Sequence, residues 1–105
     1  MNQEQTERTR MESLKKLDSN AGFHKYNCVR ISNGESERHI LAKVIKCVEI
    51  MKLGHKFVTE AKSKDRKREF DVVDLDTGEI FEFEKNPKVN KGKDVTTVRI
   101  QKEKR

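Results

Sequence analysis

The stretch Phe70 to Lys85, FDVVDLDTGEIFEFEK, carries the residues best able to do chemistry. Asp71 falls on the first of two predicted strands joined by a tight turn, and Glu82 and Glu84 fall on the second. Residues two apart on a strand share a face, so Glu82 and Glu84 project side by side. On the first strand Asp71, Val73 and Leu75 share a face, with Val72, Asp74 and Asp76 opposite. One residue of register decides which aspartate meets the glutamates. Asp74 and Asp76 lie at the turn, where aspartate serves the backbone, so Asp71 is the expected partner. The Asp74-x-Asp76-x-Gly78 spacing lacks the loop length and the later bidentate acid of a calcium site. Three converging carboxylates repel one another unless a cation neutralises them. The pattern points to Mg²⁺ (or Mn²⁺) rather than zinc, since it places no histidine nearby. Such a cation activates water and stabilises charge at a reacting phosphorus centre.

The elements that must position these acids follow from periodicity. The Ser32-Asn33-Gly34-Glu35-Ser36 cluster supplies turn and cap residues, and the spacing predicts a helix from about Glu35 to Leu53, stopped by Gly54. Ile40, Leu41, Val44, Ile45, Cys47, Val48 and Met51 fall on one broad stripe, which is expected to cover the sheet. Glu37 aligns with that stripe, whereas Glu35 and His39 point away from it. Glu37 is then either a solvated first-turn carboxylate favoured by the helix dipole or an acid reaching over the sheet. Strands are predicted at Phe57 to Lys62, Phe70 to Asp76, Glu79 to Glu84 and Val95 to Ile100, with a shorter extended segment over Tyr26 to Ile31. Residues 1–21 read as a helical or flexible arm, with a thin apolar stripe of Met11, Leu14 and Leu17. Residues 22–101 form the core domain and 102–105 a basic tail.

Composition limits the rest. In 105 residues, 32% are hydrophobic and 40% charged, so the core is small: one sheet covered by one good helix. No apolar run is long enough to cross a membrane, and the polar N-terminus does not resemble a signal peptide, so a cytoplasmic (intracellular) protein is expected. Cys28 and Cys47 lack the spacing of a zinc site and are expected to be reduced thiols. Residues 85–105 hold eight basic and two acidic side chains, which accounts for the whole net charge of +6. A basic segment beside an acidic site suggests a polyanionic partner, most simply DNA. Lys64, Arg66, Lys67 and Arg68 in a charged loop, with Lys88, Lys91 and Lys93 after Pro87, are the candidate phosphate contacts. Scarce aromatics, with one Tyr and no Trp, disfavour a single-strand stacking platform.

The helix with Glu37, Thr59-Glu60-Ala61-Lys62, Asp71-Val72-Val73-Asp74 and Ile80-Phe81-Glu82-Phe83-Glu84 together resemble the PD-(D/E)xK nuclease superfamily, most closely its small archaeal or archaeal-virus members. The resemblance covers about Glu35 to Glu84. It implies an α/β fold with a restriction-endonuclease-like core: one long helix on a small mixed sheet of about four strands, with an additional N-terminal helix or arm. It also implies Mg²⁺-dependent DNA cleavage, with Asp71 and Glu82 as metal-binding acids and Glu37 as the helix acid some members use. Phe70 replaces the usual proline, and Glu84 stands where a lysine is usual and would add a third metal ligand. Lys62, on the neighbouring strand, is the candidate migrated lysine. Two functions follow: a metal-dependent endonuclease hydrolysing DNA phosphodiester bonds, or a catalytically inactive nuclease-fold module for nucleic-acid binding or assembly. Nucleases of this size often embrace a duplex as a homodimer, although the sequence identifies no interface.

Overall fold

The computed structural model describes residues 2–18 and 26–83 in full, and the backbone of Glu84 and of 95–99. Its elements are α1 (Gln3–Lys15), α2 (Glu37–Lys52), β1 (Phe57–Lys62), β2 (Glu69–Asp74), β3 (Ile80–Glu84) and β4 (Val95–Arg99). The four strands form one mixed sheet in the order β1-β2-β3-β4, in which β4 alone pairs parallel to its neighbour. The expected α/β class and four-stranded mixed sheet are both present. Lys88, Lys91, Lys93 and the basic tail lie outside the described residues, as does the break expected at Ser19 to Gly22.

The sheet is packed on both sides. Val58, Ala61, Phe70, Val73, Leu75 and Ile80 gather with Leu17 and Leu14 at the end of α1. On the other face Phe57, Val72, Phe81 and Phe83 meet Cys47, Ile50 and Ala42 of α2. Small cores gain from this arrangement because each strand residue is covered whichever way it points.

The N-terminal arm is a docked helix. Asn2 and Gln5 form a reciprocal capping box that satisfies two orphan backbone donors. Ser13 Oγ donates to the Leu75 carbonyl at 2.8 Å, and Arg10 grips Asp76 through two nitrogens at 2.8 and 3.1 Å. Of the expected stripe, Leu14 and Leu17 pack on the sheet, but Met11 is exposed. Three polar anchors therefore hold what the thin apolar stripe could not.

Helix α2 is bounded by the expected signals, shifted by two residues at its start. Ser36 is the N-cap, accepting from His39 N–H at 3.1 Å, so Glu35 lies before the helix. At its end Gly54 has φ +78, and the Gly54 and His55 amides donate to the Met51 and Ile50 carbonyls, a Schellman stop. The Asp74 to Glu79 turn confirms backbone duties for its aspartates. Asp74 Oδ1 accepts from Asp76 N–H, and Asp74 Oδ2 lies 2.9 Å from His55 Nδ1. Asp76 also accepts from Lys56 N–H. Cys28 is exposed and Cys47 buried, both as free thiols, and burial pushes the Cys47 thiol up to about 12.

The forked Arg10 and Asp76 pair is the strongest link between α1 and the sheet. Replacing Arg10 by Ala is expected to lower unfolding stability by about 1–2 kcal/mol. Denaturant unfolding followed by circular dichroism checks this, and an unchanged midpoint contradicts it.

Candidate metal centre beneath the long helix

The site begins with an irregularity shared by two strands. Val58 packs on the α1 side, so strict alternation would send Glu60 the same way. Instead Glu60 takes φ +55, a left-handed conformation uncommon for a residue with a side chain, and its carboxylate reaches the α2 side. It falls between the Thr59–Val72 and Ala61–Phe70 pairs of the β1–β2 register, the gap that Asp71 spans on β2. There β2 changes as well: Phe70 and Val73 both pack on the α1 side, three residues apart instead of two or four. The recorded β2–β3 pairing covers Val72 and Phe81 with Val73 and Ile80. At the adjoining rung the Phe83 amide donates to Asp71 Oδ2 at 2.8 Å, so a side chain takes the place of a ladder carbonyl.

Both displaced carboxylates meet the first turns of α2. Lys43, with no exposed surface, places its three ammonium donors on Arg30 O (2.6 Å), Glu35 Oε1 (2.6 Å) and Glu60 Oε1 (2.8 Å). Ser32 Oγ donates to the other Glu60 oxygen at 2.6 Å. Burial alone would raise the Glu60 carboxyl, but the Lys43 and Ser32 hydrogen bonds outweigh it and hold the group at about 2. Burial would likewise lower the Lys43 ammonium, and its bonds to Glu35 and Glu60 leave it raised. His39, one turn before Lys43, spans Glu35 and Asp71. Its Nδ1 lies 3.4 Å from Glu35 Oε1 and its Nε2 3.3 Å from Asp71 Oδ2, and its ring edge meets Phe83.

Glu35, His39 and Asp71 can bring one ligand atom each within 4.8 Å of one another. Glu35 Oε2 and His39 Nδ1 are buried without a hydrogen-bond partner among the described residues. Glu35 and Glu60 share the Lys43 ammonium and Asp71 stands by His39, so carboxylates outnumber the ammonium in the cluster. Orphaned buried acceptors and excess negative charge fit a divalent cation held by Glu35, His39 and Asp71. One imidazole with two carboxylates suits Mn²⁺ or Zn²⁺ better than Mg²⁺.

Several sequence expectations are corrected. Asp71 and Glu82 do not converge. Phe81 and Phe83 face α2, so Glu82 between them faces away, where its carboxylate lies 3.9 Å from Arg68. Glu84 ends β3, and its side chain lies outside the described residues. Glu37 is exposed on the first turn of α2, while Glu35 and His39, expected to point away, face the sheet. Lys62 is exposed at the end of β1, and the ammonium in the cluster belongs to Lys43. Glu35, His39, Lys43 and Glu60 were therefore missed. His39 and Lys43 stand at i, i+4 spacing on one face of α2, while Glu35 precedes the helix and Glu60 sits in β1.

The predicted basic loop between β1 and β2 is ordered by Ser63 and Asp65, whose side chains bond each other and the Lys67 and Arg68 amides. Lys64, Arg66 and Lys67 are exposed, with Arg66 3.2 Å from Asp18 and Arg68 stacked over Phe70. Arg68 lies with Glu82 and Phe70 on the side of the sheet away from α2. Comparison with protein-family models, curated proteins and solved structures returns no match for this chain.

Glu60 has a lowered carboxyl in the folded state, so its contribution to stability is complete above the unfolded value near 4.3 and is lost as pH falls towards about 2. Glu60→Gln is expected to lower neutral-pH stability and flatten this acid limb in thermal melts across that window. Lys43→Met leaves two buried carboxylates without their cation and is expected to cost about 3–5 kcal/mol. Partial recovery in the Lys43→Met, Glu60→Gln double variant would check the cause, and no recovery would refute it.

Proposed function

We propose that this protein is a metal-dependent nuclease acting on DNA phosphodiesters, with its cation held by Glu35, His39 and Asp71. The observation that carries the proposal is the convergence of these three side chains with a buried, unpartnered Glu35 oxygen. Two further features support it. The helix, antiparallel meander and parallel fourth strand agree with the restriction-endonuclease-like core that the resemblance implies. The β1–β2 loop exposes Lys64, Arg66 and Lys67, which offer positive charge to a phosphate backbone.

A bound divalent cation would supply charge stabilisation at phosphorus and a more acidic water. The chain's own groups have separate duties. Phe83 N–H fixes the Asp71 carboxylate, and Lys43 fixes the Glu35 carboxylate. Glu35 and Asp71 flank the His39 ring, whose edge rests on Phe83. Lys64 and Lys67 give the substrate backbone a positive approach.

One observation favours the alternative, a non-catalytic nucleic-acid-binding module: the Lys43 ammonium already neutralises part of the acidic cluster. Plasmid, linear and branched DNA incubated with Mn²⁺, Mg²⁺, Zn²⁺ or EDTA distinguish the two. Metal-dependent cleavage is expected, favoured by Mn²⁺ and lowered by roughly 100-fold or more in Asp71→Asn. Calorimetric Mn²⁺ binding should be lost in the same variant. Cleavage that survives Asp71→Asn but fails in Glu82→Ala would overturn the site. Binding without cleavage, weakened by Lys64→Glu and Lys67→Glu, would establish the module instead.

A further inference from the structure

Helix α2 presents its two faces the unusual way round. The face on the sheet carries His39, Lys43, Lys46, Cys47 and Ile50, with the Lys46 ammonium 4.7 Å from the Phe81 ring centre. At about 100° per residue, Leu41, Val44, Ile45, Val48 and Met51 lie on the opposite side. Leu41, Ile45, Val48 and Met51 are 44% to 59% exposed, and Leu53 just beyond the helix is 67% exposed. These side chains form one contiguous row at i, i+3, i+4, i+7 spacing, which is the seam of a helix pair. A row of this kind is too large and too continuous to be scattered surface hydrophobicity.

We propose that α2 pairs antiparallel with α2 of a second copy of this chain. The charges at the ends of the row select both occupant and direction. Glu37 closes it at the N-terminal end and Lys52 at the C-terminal end, both exposed and both in line with the apolar residues. A two-fold axis between Val44 and Ile45 brings Glu37 of each copy opposite Lys52 of the other. The same register sets Leu41 against Val48 and Val44 against Ile45. Leu41, Val44, Ile45 and Val48 thus meet one another, Met51 lies opposite the stem of Arg38, and opposite charges meet at both ends. A parallel pairing would instead stack Glu37 on Glu37 and Lys52 on Lys52, which repel. The isologous arrangement makes each favourable contact twice. The exposed row offers roughly 400 Å² of apolar surface per copy, so a pair has about 800 Å² to bury, the size of a weak, concentration-dependent interface. The acidic cluster lies on the sheet side of α2, so pairing leaves it open.

Sedimentation of the full chain over a concentration series tests the pairing, with circular dichroism confirming that each variant is folded. The wild type is expected to dimerise and Ile45→Asp to be monomeric. Glu37→Lys and Lys52→Glu should each weaken the dimer by roughly tenfold, and the double reversal should restore it. A monomer at all concentrations, or a dimer indifferent to Ile45→Asp, overturns the interface. Charge reversals that fail to compensate one another overturn the antiparallel register.

Discussion

The structure depends on burying one ammonium group. Lys43 lies fully inside, and each of its three donors meets an acceptor from a different part of the chain: Arg30 and Glu35 ahead of α2, and Glu60 in β1. A buried charge is tolerated only when paired and fully hydrogen-bonded, so these partners cannot be varied independently. The ammonium therefore sets the rotation of α2 about its axis. It also draws Glu60 into a backbone conformation that a residue with a side chain rarely adopts.

The distortion at Glu60 reaches the neighbouring strand. Opposite it, Asp71 leaves the α1 side of β2 and takes the Phe83 amide. With both strands displaced at one rung, two carboxylates enter the space beneath α2, where regular pleating would have placed neither. Glu82 stays on its regular side, against Arg68. The sheet thus divides the acids that the sequence pattern had grouped. Those on the α2 side are held near His39 and Lys43, and they are the ones able to gather a cation.

Rotation of α2 also decides what the outer surface becomes. Once the face bearing His39, Lys43 and Lys46 is turned to the sheet, the apolar row of Leu41, Ile45, Val48 and Met51 must face outward. The sheet still has apolar cover, because Cys47, Ile50 and Ala42 remain on the inner side and α1 supplies Leu14 and Leu17 on the other. A single helix in this way orders a polar cluster with one face and leaves an apolar row outward on the other.

By itself the sequence determined the elements and their order. Caps and stops at Ser36 and Gly54, the turn aspartates 74 and 76, and alternating apolar residues are local signals, and local backbone chemistry answers to them. It also singled out Asp71, and the acidic and basic character of the second and third strands and of their loop. Only the tertiary structure decided which face each residue occupies. Strand alternation with the turn roles of Asp74 and Asp76 set Asp71 beside Glu82, and the period of 3.6 assigned the apolar row of α2 to the sheet. Both assignments assume regular geometry and an apolar interior. The contacts of Lys43, a hydrogen bond to the Arg30 carbonyl and ion pairs with Glu35 and Glu60, overrode both. A contact between distant residues leaves no periodic trace, so sequence spacing singled out Asp71 but not Glu35, Glu60 or the lysine that arranges them.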